Sequence, residues 1–315
     1  SMEENMEVTI YYAKINLRTH ILEVYKGEKD LDRILEQVAN SIRDGISYKQ
    51  VDNYQNNDSN DIIYTFNNII RLDESLNKGI LGNITKESYI FAKQRDEFGK
   101  RKKIRMKNEE EINFYFDIMN EVLAFHTTKR FGHRQFINAM KVLINKSINT
   151  YIEEEKYIFD IELLRKAIDL LDIKQELLKI DDLSQLKINI IPPNPNKELL
   201  SKIRSSAETQ LEEMTEANLT GESIIFESDA PGGLKIGSKI IDEKLSRVES
   251  LHTHLTGQDA IRNGYLKVSA KSKSGRSYSS NDREPVKDKI QLDEGDYKIE
   301  FANRCFNKLK SVFKL

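Results

Sequence analysis

INFYFDIMNEVLAFH, residues 112–126, decides the class of fold. INFYFDIM (112–119) and EVLAFH (121–126) are short runs rich in residues that fit a pleated surface. Asn120-Glu121 between them marks a tight turn, so the two runs are expected to pair as an antiparallel hairpin. Upstream, DIIYTFNNIIRL (61–72), GILGNITKESYIFAK (79–93) and KKIRMK (102–107) read as further short strands. Together they make a mostly antiparallel sheet with one face packed on helices. EVTIYYAKIN (7–16) alternates well enough for a strand, and THILEVY (19–25) is expected to pair with it.

Helices should flank this sheet. DLDRILEQVANSI (30–42) puts Leu31, Ile34, Leu35, Val38 and Ile42 on one face, with Asp30 as N-cap. DNYQNNDSND (52–61) reads as a polar loop. From His133 to Asn149, the residues Phe136, Ile137, Met140, Leu143 and Ile144 recur at helical spacing.

The second half mixes elements. ELLRKAIDLLDI (162–173), KELLSKIRSSAETQLEEM (197–214) and SKIIDEKLSRVESLH (238–252) read as helices. LKINIIPPNPN (186–196) reads as a strand closed by prolines, which cannot continue a ladder. ESIIFESD (222–229) is a strand and APGGLKIG (230–237) a turn-rich loop. GYLKVSAKSKSGRSYSS (264–280) is a strand or hairpin, with DREPVKDKIQL (282–292) as its expected partner. DYKIEFANRCFNKLKSVF (296–313) is expected as a strand leading into a short helix. The reading is therefore α+β, with a mainly antiparallel N-terminal sheet and packed helices, then a second mixed α/β domain. The expected division is 1–155 and 156–315, just where the charged INTYIEEEKY ends the first half.

Composition bounds the function. The chain has 315 residues, enough for two domains, with 38% hydrophobic and 32% charged residues. Its 49 basic and 51 acidic residues nearly cancel, so only a local patch can speak for nucleic acid. One cysteine, Cys305, excludes an internal disulfide and a zinc site built on several cysteines. No apolar run approaches the ~20 residues of a membrane span. SMEENMEVTI has neither a basic n-region nor an apolar h-region, so a cytoplasmic protein without a membrane partner is expected. GxxxxGK[ST], GxGxxG, GxSxG and HExxH motifs are all missing. No cofactor and no catalytic residue is assigned.

Local charge is more informative. AKQRDEFGKRKKIRMK (92–107) carries Lys93, Arg95, Lys100, Arg101, Lys102, Lys103, Arg105 and Lys107 against Asp96 and Glu97. In a hairpin such side chains reach along a phosphate backbone, and Tyr89, Phe91 and Phe98 are available for stacking if exposed. A charged loop tip is the plainer reading. AFHTTKRFGHRQF (124–136) places Lys129, Arg130 and Arg134 beside Gly132 at a helix start, where free N–H groups favour anions. A solvated turn between Phe125 and Phe136 is its plainer reading. YLKVSAKSKSGRSYSSNDR (265–283) adds Lys267, Lys271, Lys273, Arg276 and Arg283 among serines, a pattern that also suits a flexible hairpin tip.

Histidines are the other candidates. His126 and His133, seven residues apart across a turn, would need a third ligand to hold a metal. His252-Thr253-His254 follows a helical run, which turns the two rings apart, and reads more simply as a helix end.

One resemblance bears on function. KGILGNITKESYIF, the basic hairpin, INFYFDIMNEVLAFHTTKRFGHRQF and the helix INAMKVLINK follow one another, with INIIPPNPN and KELLSKI downstream. This order resembles uncharacterised bacterial domain families of mobile elements and anti-phage loci, among them the nucleic-acid-binding KwaB-type component of the Kiwa system. The resemblance spans about half the chain, contains no catalytic signature and transfers no residue role. It implies binding rather than catalysis. The expected function is a non-catalytic nucleic-acid- or partner-binding component of such a system, with Arg101, Lys102, Lys103, Lys129, Arg130 and Arg134 on phosphates. The alternatives are a metal-dependent nuclease or phosphohydrolase using His126, His133, His252 or His254, and a protein-interaction scaffold.

Overall fold

The 112–126 hairpin forms. Strand β5 (Arg101–Asp117) turns through Ile118–Glu121 into β6 (Val122–His126), with Phe114 opposite Phe125 and Asp117 opposite Val122. Glu121 closes the turn at φ 56, a conformation that needs tight local support in a non-glycine residue. The computed structural model describes residues 6–51, 61–72, 79–192, 208–251, 257–292 and 297–315.

The chain groups into two compact units: residues 1–15, 32–161 and 287–315, and residues 16–31 with 162–286. The expected division at 155 ran along the sequence, whereas here the C-terminal stretch returns to the first unit. In that unit β1 (Met6–Leu17), β2 (Ser47–Gln50), β3 (Ile62–Leu72), β4 (Gly79–Arg95), β5, β6 and β12 (Lys287–Leu292) belong to one eight-stranded sheet, whose remaining strand, β7 (Phe159–Leu163), pairs with β1. Its order is β12-β1-β6-β5-β4-β3-β2, and the pairings along this path are antiparallel. Two helices cover the sheet. Helix α3 (His133–Tyr151) packs Phe136 against Phe125, ring centroids 4.1 Å apart, and against Phe114 at 6.2 Å. Phe66, Phe114, Phe125, Phe131 and Phe136 are completely buried. Such aromatic pairs add about 0.5–1.5 kcal/mol each beyond the area they bury. On the other face α7 (Tyr297–Phe313) buries Phe301, Cys305 and Leu309 and sets Phe306 edge-on to Tyr115. Helix α2 (Leu31–Ser41) is also present as expected.

The second unit holds a four-stranded antiparallel sheet in the order β11-β10-β8-β9. These are β8 (Leu183–Ile190), β9 (Glu222–Glu227), β10 (Leu266–Ser272) and β11 (Ser277–Ser279). Leu186, Ile188 and Ile190 alternate into a core with Leu266, Val268 and Ala270. Helices α4 (Leu170–Leu178) and α6 (Lys239–Leu251) close that core with Ile173, Leu177, Ile241 and Leu245. The molecule is therefore α+β.

Several expected elements differ. THILEVY is a helix, α1 (Ile21–Lys26), not a strand: His20 at φ 59 opens it and Gly27 at φ 76 ends it. KKIRMK and INFYFDIM are one 17-residue strand, β5. ELLRKAIDLLDI is split: β7 (Phe159–Leu163) takes its start, and the helix begins only after Asp169, whose carboxylate caps the Asp172 N–H. DREPVKDKIQL supplies β12, which pairs with β1 instead of with β10. Residues 297–313 are wholly helical, with no leading strand. Residues 208–214 of the expected 197–214 helix lie in α5 (Glu208–Glu216), and its earlier residues lie outside the described ones, as do the loop positions 52–60.

Candidate nucleic-acid interface

Strands β4 and β5 pair without a break from Gly79–Asp117 to Arg95–Arg101. Their neighbours stop early: β3 leaves β4 at Glu87 and β6 leaves β5 at Phe114. Past Glu87 and Glu109 the two strands continue as a two-stranded arm, eight residue steps or about 27 Å long. The basic stretch is this arm.

Strand alternation sorts the arm's side chains into two faces. Lys107, Arg105, Lys103 and Arg101 share one face with their partners Tyr89, Phe91, Lys93 and Arg95. Along it Lys103 Nζ lies 4.1 Å above the Phe91 ring, and the Arg105 guanidinium 3.6 Å above Tyr89. Lys107 pairs with Glu87 at 3.3 Å. The other face carries Ile90 opposite Met106, Ala92 opposite Ile104, and Gln94 opposite Lys102. A two-stranded ribbon is marginal alone, and these apolar and cation–π pairs are what stiffen it.

The 129–134 segment lies off the arm. Lys129, Arg130 and Arg134 are exposed on the turn between β6 and α3. That turn is fastened to the arm's root. Lys86 Nζ donates to the Arg130 carbonyl at 2.6 Å and to Gln135 Oε1 at 2.9 Å, and Thr128 donates to Glu110 at 2.8 Å. Arg130 Nη1 lies 3.5 Å from Asn108 Oδ1, seven residues and about 23 Å along the strand from Arg101. Of the six expected contacts, Arg101 and Lys103 share the aromatic face and Lys102 the opposite one. Lys129, Arg130 and Arg134 belong to the turn at the root, where Arg130 meets Asn108 and Thr128 meets Glu110. The tip is cationic and the root mixed. What sequence reading missed was the ordering of Tyr89 and Phe91 with Arg105 and Lys103, which needs the register.

His126 is buried on β6 and its Nε2 accepts the Asn113 backbone N–H at 3.0 Å, so that lone pair is not open to a metal. His133 lies against Tyr11, ring centroids 5.3 Å apart. His252 and His254 lie outside the described residues. Among the described residues no group of three or more His, Cys, Asp and Glu side chains is placed to hold a metal. In the second unit Lys267 pairs with Glu162, and Lys273 donates to the Asp229 and Ala230 carbonyls. A cleft of about 390 Å³ there is lined by Arg18, Thr220, Glu222 and Lys267, two cations and one carboxylate among neutral residues. No helix among the described residues is long and apolar enough to cross a membrane.

Burial holds the His126 imidazole below its usual range. Its folded value lies under the unfolded one, so its stabilising contribution is complete above about pH 6.5 and is lost as pH falls from there through the folded value. Unfolding free energies from urea titrations between pH 7.5 and 5 should therefore fall for the native chain, by at most about 1.4 kcal/mol per pH unit from this group. In His126→Gln, whose amide oxygen can still accept from Asn113, that part of the decline should vanish. An unchanged pH profile in the variant would assign the acid sensitivity elsewhere.

Fold and site together define an α+β protein that carries a long, cation-rich two-stranded arm. Over residues 8–309 the chain matches the family described as a Domain of unknown function (DUF4747), and it belongs to that family. The family's description names neither Kiwa nor any defence system. No curated protein matches the chain.

Proposed function

We propose that the chain binds nucleic acid through the β4–β5 arm, without catalysis. One observation carries this: eight cations against two carboxylates on the arm between residues 89 and 107, ranged along one ribbon. Of the two carboxylates, Asp96 is engaged in the turn, where it accepts the Phe98 and Lys100 N–H groups. Concentrated charge favours a polyanion over the scaffold reading, which calls for dispersed charge. A two-stranded ribbon can read a duplex from either groove. A place in an anti-phage or mobile-element system rests on the sequence resemblance alone.

Fluorescence anisotropy with a labelled duplex across a salt series tests the proposal. With about five phosphates neutralised, log K should fall against log salt with a slope of about −4.5. A flat salt dependence, or no binding at micromolar protein, removes it.

A further inference from the structure

The tip of the arm carries an apolar group that the fold does not need. Phe98 is 90% exposed. Its backbone is nevertheless well defined by turn chemistry. Asp96 N–H donates to the Lys100 carbonyl at 2.8 Å, and Gly99 N–H to the Asp96 carbonyl at 3.0 Å. The Asp96 carboxylate accepts the Phe98 and Lys100 N–H groups at 3.0 and 2.7 Å. Gly99 takes φ 72, which lets the chain re-enter the ladder. This is a three-residue hairpin loop of a type I turn followed by a left-handed residue. Asp at its first position and Gly at its fourth are the residues such a turn favours. Phe98 occupies the crest.

The arm's three rings are not equivalent. Tyr89 and Phe91 each have one face taken by a cation, Arg105 at 3.6 Å and Lys103 at 4.1 Å. Unpaired bases seeking a stacking platform would have to displace those cations, which argues against a single strand laid along the arm. Phe98 makes no such contact and stands past the last ladder pair, between Arg95 and Arg101. Glu97, Phe98 and Gly99 offer no side-chain donor with which to read a base edge. What the crest can offer a duplex is an apolar plane.

We propose that Phe98 is a wedge: with the arm's cations on the phosphates of a DNA duplex, its ring enters a base step from the minor groove and kinks the helix. The arm supplies both parts of that exchange. Cations along about 27 Å of ribbon hold the phosphates that flank the opened minor groove, and those contacts offset the unstacking. This inference rests on the nucleic-acid reading above, and its test separates the two.

The full chain is bound to a duplex of about 30 base pairs carrying a donor and an acceptor dye at its ends. The native chain should raise energy transfer. Phe98→Ala should bind within about threefold of it and leave energy transfer near that of free DNA, while Phe98→Leu keeps most of the bend. A central mismatch, which lowers the cost of opening the step, should strengthen native binding about tenfold or more and leave Phe98→Ala unaffected. Since residue 98 is solvent-exposed, neither substitution disturbs the core. Equal bending by native chain and Phe98→Ala overturns the wedge and leaves nucleic-acid binding standing, as does tighter binding of single strands with no bend. Absence of salt-dependent binding in every variant overturns the parent reading itself. Sedimentation with phosphatidylserine vesicles that Phe98→Ala abolishes, without any duplex bend, assigns the crest to an anionic lipid surface and overturns the wedge.

Discussion

Glutamine at Arg101, Lys103 and Arg105 together should weaken duplex binding roughly 10²–10³-fold at about 0.1 M salt. Each phosphate contact contributes about 0.9 to the slope of log K against log salt, hence roughly eightfold at that concentration, and three multiply. The slope itself should fall by about three, a reading that partial misfolding would not reproduce. These residues are chosen because the register puts them in a row on one face, with Lys103 and Arg105 braced over Phe91 and Tyr89. A braced cation loses less side-chain entropy on binding than a free one. The matched control is glutamine at Lys129, Arg130 and Arg134. Those side chains belong to the turn at the arm's root, on the strand face that carries Glu110, whose charge opposes their attraction for phosphate, so about a threefold loss or less is expected. If the root variant loses more than the tip variant, the interface lies on the turn before α3 and the arm is not the binding element.

The contrast between tip and root also shows where sequence stops being informative. The density of cations from Lys93 to Lys107 is visible in one dimension, and so is the hairpin at 112–126. The continuity of β5 is not. Asn108-Glu109-Glu110-Glu111 looks like a polar break, yet each position has a reason to lie in a strand. Glu110 accepts from Thr128, Glu111 accepts from Asn83 at 2.7 Å, and Glu109 faces solvent. A strand leaving its sheet exposes both faces, so the two-residue hydrophobic rhythm fades where the arm begins. The same loss of rhythm hid the relation between Arg105 and Tyr89, which is diagonal across the ladder and separated by sixteen positions.

Other misreadings have equally local causes. Tyr297, Ile299 and Phe301 alternate like a strand, but Ile299 is 52% exposed while Phe301, Cys305 and Leu309 are buried at helical spacing. The longer period was present and outvoted by the shorter. In 162–173 the helix was started too early, because Leu163, Leu164 and Ile168 are buried without being helical. The capping box of Asp169 and Asp172 marks the true start. β12 could not have been placed from its own residues, since Lys287–Leu292 pairs with Met6–Tyr11 from the far end of the chain.

Glu121→Gln should destabilise the first unit by about 3–5 kcal/mol, the usual cost of stripping one partner from a buried ion pair. Lys14 Nζ lies 3.7 Å from the Glu121 carboxylate, and the two side chains are only 11% and 7% exposed. Burial pushes the Lys14 ammonium below its ordinary range, opposed by the nearby Glu121 and Asp117 carboxylates. Burial likewise raises the Asp117 carboxyl, although Asn120 donates to it. Removing the Glu121 charge leaves an enclosed ammonium with one unfavourably placed carboxyl and the Ile15 carbonyl at 3.4 Å. Glutamine keeps the size of the side chain and faces the same φ 56 as glutamate, so backbone strain does not enter the comparison. The double variant Lys14→Met, Glu121→Met removes both charges at once. It should lie within about 2 kcal/mol of the native chain, because a buried pair replaced by apolar groups of similar size is often neutral. Urea unfolding of the native chain, Lys14→Met, Glu121→Met and the double variant closes the cycle. Additive losses from the two single changes would mean that Lys14 and Glu121 act independently, and that the turn beneath the 112–126 hairpin is held by backbone contacts instead, chiefly the Ile15 N–H donated to the Glu121 carbonyl at 2.8 Å.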